Sequence, residues 1–172
     1  MPLHDLPWGS LTPATLWAEL DVETRRLAAR SVFSPEWDDA ASRAEANEAI
    51  ASALRFRKAA VGRLPLEKRI DYLARAVHPD DSLAGTLLLA LHLTLHKKML
   101  ADFLGALEIP HKQGVIEADG PIDPPNAAKL GAAVTRLLES YPPADVKLYL
   151  ASLLAMDPDV WGDLAEIASP AA

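Results

Sequence analysis

Leu83 to Leu95 reads LAGTLLLALHLTL, the most apolar stretch of the chain. Its thirteen residues fall short of the ~20 that a membrane span requires, so the stretch predicts a buried helix. Continued through Met99, Leu100, Phe103, Leu104 and Leu107, it becomes amphipathic. The expectation is one hydrophobic central helix over roughly residues 82–107, apolar on every face up to Leu95 and therefore surrounded by other helices.

The rest of the 172 residues points the same way. Ala and Leu supply 59 residues, Val and Ile only 14; the first pair are strong helix formers, and the second favour strands. No run of clean apolar/polar alternation occurs. The fold class is all-α, with about eight helices packed around the central one in a single domain over 1–172. Helix starts are marked at Thr12-Pro13, Asp21, Ser34-Pro35, Pro65 and Asp80-Asp81 by capping residues and first-turn prolines. A long helix is expected from about Asp39 to Gly62. Leu66, Ile70, Leu73 and Val77, spaced 4, 3 and 4, form an amphipathic stripe. The segment PHKQGVIEADGPIDPP, residues 110–125, holds two glycines and four prolines. It is a long loop, with a short extended piece at Val115-Ile116, and it precedes three shorter C-terminal helices.

The chain contains no cysteine, which excludes disulfides, thiolate catalysis and Cys-ligated zinc or iron–sulfur centres. The first residues, MPLHDLPWGSLTPATLW, lack a basic segment followed by an unbroken apolar one, so no signal peptide is expected. The Ala, Leu and Arg bias gives the impression of a bacterial, cytoplasmic protein. No glycine-rich phosphate loop and no GxSxG motif is present. The acid pairs Asp38-Asp39 and Asp80-Asp81 stand where helices should start and read as caps. The four tryptophans read as packing anchors.

Charge is segregated within a net −7. Residues 1–54 carry −5 and residues 76–172 carry −7, whereas residues 55–75 carry +5. Arg55, Arg57, Lys58 and Arg69 of that basic block are the candidate anion or partner patch; the plainer reading is a solvated helix pair facing acidic neighbours of the same chain. Nucleic acid is not expected of an acidic chain whose block holds only Phe56 and Tyr72 for stacking.

His92 and His96, four apart on one helix face, have the spacing of a metal-ligating pair. No HExxH glutamate accompanies them. His111 stands in the 110–125 loop, where a general acid/base or a third ligand would be well placed. These three are the candidate ligand or pocket residues; the plainer reading is two packed histidines and a polar loop, with no metal and no cofactor.

The stretch Phe103–Asp123, FLGALEIPHKQGVIEADGPID, following LARAVHPDDSLAGTLLLALHL, resembles bacterial all-helical proteins grouped only as a domain of unknown function, a resemblance that implies no activity. The HxxxH of His92 and His96 followed by LADFLGALEIP also resembles the last helix of DinB-like metal-binding bundles, in which a third histidine comes from an earlier helix; the upstream histidines here are His4 and His78. Two functions are carried forward. The first is a non-catalytic interaction or structural module acting on a protein partner or a second copy, without membrane. The second is a metal- or small-molecule-dependent enzyme using His92, His96 and His111.

Overall fold

The computed structural model describes residues 7–168; His4 lies outside them. Of the described residues 70% are helical, in eleven α-helices with one two-stranded sheet and a short 3-10 turn, so the fold is all-α. The helices are α1 (Pro13–Glu19), α2 (Val22–Phe33), α3 (Ala40–Leu54), α4 (Lys58–Val61), α5 (Leu66–Arg75), α6 (Asp81–Leu95), α7 (Lys97–Ala106), α8 (Ala127–Ser140), α9 (Pro143–Met156), α10 (Pro158–Trp161) and α11 (Leu164–Ala168). The described residues group into two compact units: residues 13–95, and residues 96–168 with the stretch 7–12.

Aspartates start the helices of the first unit. Asp21 accepts from the Thr24 N–H at 2.8 Å, Asp39 from Ala41 and Ser42, and Asp80 from Leu83 at 3.0 Å. Each satisfies backbone donors that the first turn leaves open. Asp81 does the same for a different helix, taking the Ala14 N–H of α1 at 2.9 Å. Ser34-Pro35, by contrast, does not open a helix. Ser34 closes α2, and its hydroxyl accepts from the Glu36 N–H at 3.2 Å in a local turn. α2 lies at the middle of the unit, packed on α5 and α6, with Ala28, Ala29 and Val32 fully enclosed. Small residues there let the three helix backbones approach closely. From the α5 stripe, Ile70, Leu73 and Val77 are buried, but Leu66 is exposed.

Two expected helices are broken. The helix expected over 39–62 stops at Leu54, because Arg55 takes the left-handed conformation (φ 55°, ψ 38°). The Phe56 N–H then reaches back to Ala51 C=O at 2.8 Å and Arg55 N–H to Ser52 C=O at 3.3 Å, a Schellman cap with arginine where glycine is usual. The expected central helix 82–107 is two helices. His96 leaves the helical region (φ −123°, ψ 20°) and becomes the N-cap of α7. α6 is apolar all round but not covered all round, since Leu89 and Leu95 are exposed.

In the second unit, Phe103 of α7 is fully buried against Tyr149 edge-to-face at 5.5 Å and against Trp161 at 5.9 Å. Burial pushes the Tyr149 phenol above its usual range. Glu108 (φ 59°) ends α7 in a second Schellman cap, with Ile109 N–H on Leu104 C=O at 3.0 Å. The loop after it is not wholly irregular. His111–Lys112 (β1) pairs antiparallel with Val115–Ile116 (β2), His111 opposite Ile116, around a turn at Gln113 and Gly114 that places both residues at positive φ. A two-residue hairpin of that twist demands this. Gly114 also lies against α7: a Cβ there would stand 2.7 Å from Leu100 Cβ.

Replacing Gly114 by alanine therefore meets both strain and a clash, and should cost about 1–3 kcal/mol in urea unfolding. Gly131→Ala gives the control of opposite sign. Gly131 is inside α8 with nothing within 4 Å of the added carbon, so alanine should stabilise by roughly 0.5–1 kcal/mol.

Candidate functional site

The three candidate histidines end up in three different settings. His92 is buried in α6 and belongs to the first unit. His96, half-buried, caps α7 in the second. Loss of solvent lowers its pKa below the ordinary 6.5, opposed in part by Asp145. His111, on β1, accepts the Gly114 N–H on Nδ1 at 3.4 Å, so it serves the hairpin turn. Among the described residues no group of three or more His, Asp or Glu side chains is arranged to hold a metal.

The basic block is more informative. Its two acids, Glu67 and Asp71, are both claimed by α2. Arg30 grips Glu67 with two N–H···O bonds of 2.7 and 2.8 Å, and Arg26 pairs with Asp71. Hydrogen bonding from Arg30 holds the Glu67 carboxyl below its usual range. The block's own acids are thus withdrawn from its bases. Arg69 leaves the patch as well: its guanidinium lies over the Phe33 ring at 4.8 Å and reaches the Asn47 side-chain oxygen. Lys58 pairs with Glu48 at 2.5 Å. Among the described residues, Arg55, Arg57, Arg63, Lys68 and Arg75 have no acidic partner, and all five are exposed.

An aromatic pair joins the two segments that carry these cations. Phe56 is 44% exposed and meets the half-buried Tyr72 edge-to-face at 6.3 Å. Arg55 and Arg57 flank Phe56 in the chain. Lys68 and Arg75 stand four before and three after Tyr72 on α5, one helical turn to either side. The Schellman cap at Arg55 fixes the backbone of Phe56, so the ring is presented from a held position rather than a loose loop. Beside it lies a hollow of about 350 Å³ lined by Glu48, Ala51, Ser52, Arg55, Phe56 and Lys58. Further along α3, a larger cleft of about 650 Å³ has Ala49, Ala53, Val77 and Leu83 in its walls and the acids Glu45, Glu48 and Asp80.

The second unit holds a polar cluster that sequence reasoning missed. Tyr141, which follows α8, donates to Asp102 at 2.5 Å, and Lys98 reaches both Asp102 at 2.8 Å and the Tyr141 oxygen at 3.1 Å. Those bonds hold the Asp102 carboxyl below its usual range and the Lys98 ammonium above. The Lys98–Asp102 half is an i,i+4 pair visible in the sequence. Tyr141 is 39 residues away, and no local signal points to it. The cluster ties α8 to α7. Comparison of the chain with family models, with curated proteins and with solved structures finds no match.

His96 makes a pH prediction. Its pKa in the folded protein is depressed, so the unfolded chain binds the proton more tightly. The associated stability is present above the ordinary 6.5 and is lost as pH falls below it. In urea unfolding, the protein should weaken between about pH 7.5 and 5.5, and His96→Gln should lose measurably less over the same interval.

Proposed function

We propose that the protein is a non-catalytic interaction module and that its contact surface is the Arg55–Lys58 corner with Tyr72, Lys68 and Arg75. The observation that carries this reading is the exposed Phe56 ring in a basic segment whose Arg55, Arg57, Lys68 and Arg75 have no acidic partner among the described residues. An aromatic anchor with arginine neighbours has the composition of an interface hot spot. The surplus positive charge selects an acidic protein surface and speeds encounter with it.

Arg55 gives a test that separates recognition from stability. A non-glycine residue in the left-handed region is strained, so Arg55→Gly should leave stability unchanged or raise it by up to about 1 kcal/mol. The same variant, and Phe56→Ala, should weaken binding of a labelled Glu/Leu-rich peptide that the parent protein binds in a salt-dependent manner. Arg57→Glu should abolish it with a stability change of about 0.5 kcal/mol or less. Peptide binding that ignores all three substitutions, or a preference for single-stranded DNA over the peptide, would remove the basis of the proposal.

A further inference from the structure

Resting on that reading, we infer that the acidic partner is a second copy of this chain, its Arg55–Lys58 corner seated in the α3 cleft of the first and the reverse contact made in turn. The argument is one of complementarity on a single helix. Glu45, Glu48, Ala49, Ser52 and Ala53 recur at spacings of three, four, seven and eight, and so share one face of α3. Ser52 borders both the acidic cleft and the hollow beside Phe56. Glu45 lies about 14 Å from the C-terminal end of α3 at 1.5 Å per residue. Acid therefore stands at one end of this face and base with an exposed ring at the other.

A two-fold axis near Ser52 reverses one α3 against the other. Each basic corner then meets the partner's acidic cleft, and the same patch serves both copies, as an isologous dimer requires. The apolar walls of the cleft, Ala49, Ala53, Val77 and Leu83, receive the Phe56 ring. Glu45 and Asp80 at its edge face the incoming Arg55 and Arg57. Glu48 is already tied to Lys58 of its own chain, which leaves Glu45 as the acid free to pair; Asp80 shares its charge with the Leu83 N–H. A free peptide of suitable charge would find only half of this arrangement, because it would use either the corner or the cleft.

The experiment is sedimentation velocity on the full chain over a range of concentration and salt. The expected result is a species of twice the 18.5 kDa chain mass that dissociates as salt rises. Arg57→Glu and Glu45→Arg, each placing like charges together twice per dimer, should weaken association roughly tenfold or more. The double variant E45R/R57E should restore it, since the exchanged charges again meet across the axis. Circular dichroism and melting temperature confirm that each variant is folded. A chain that stays monomeric at every concentration in low salt overturns the inference, as does a dimer that neither single reversal weakens or that the double reversal fails to restore. Binding of the Glu/Leu-rich peptide by such a monomer would still leave the interaction surface in place, whereas a monomer that binds no peptide removes both.

Discussion

The grip of α2 on α5 decides what the first unit presents to its surroundings. Arg26 and Arg30 stand four apart on α2 and reach across to Glu67 and Asp71, four apart on α5. The bidentate Arg30–Glu67 contact fixes the rotation of one helix against the other. All four side chains remain partly in water, where such pairs add little stability; burial of Ala28, Ala29, Ile70 and Leu73 supplies the cohesion. The ionic contacts act instead on distribution. They turn both acids of the 55–75 segment toward α2, so that Lys68 and Arg75 on the same helix have no local counter-charge. The net +5 read along the chain becomes a larger local surplus on the folded surface.

What could be read from the sequence was local. The all-α class follows from Ala/Leu dominance, because helix propensity summed over many residues is informative. The caps at Asp21, Asp39 and Asp80 were legible because capping needs only a short side chain next to its own first turn. The stop at Leu54 was not, because the left-handed residue that closes that helix is Arg55 rather than glycine. No proline or glycine marks the break at His96 either, so the apolar positions on its two sides read as one helix. The basic block was visible as a composition, but its membership was not. Arg69 was indistinguishable from Lys68 until Phe33, thirty-six residues earlier in the chain, was placed under its guanidinium. The Tyr141–Asp102 bond was hidden for the same reason, since a sequence separation of 39 carries no spacing rule.

Arginine at a position suited to glycine is the clearest conflict between local and global demands in this chain. Left-handed backbone costs an L-residue free energy that glycine escapes, and the Schellman cap would form as well with glycine. Strain of this kind persists where the surroundings over-determine it, and it gathers at functional positions. The consequence at Arg55 is a cation placed beside an exposed aromatic ring on a fixed backbone. Glu108, the other non-glycine closure, pairs with Lys129 of α8, so its side chain has a task inside the fold. Arg55 has none among the described residues, and its surroundings point outward.

The overall acidity of the chain does not oppose a contact of this kind. At physiological ionic strength charges are screened beyond about 8 Å, so the −7 of one molecule acts weakly on another at a distance. Within contact range only the nearest groups count, and on the proposed reading Arg55 and Arg57 meet acids there while the other charges lie farther off. Net charge then maintains solubility by disfavouring random encounters, while the one region of opposite sign biases the orientation of those that proceed. Salt weakens both effects. On the proposed reading the segregation of +5 between −5 and −7 biases orientation, and the exposed Phe56 ring adds an apolar component that salt does not screen.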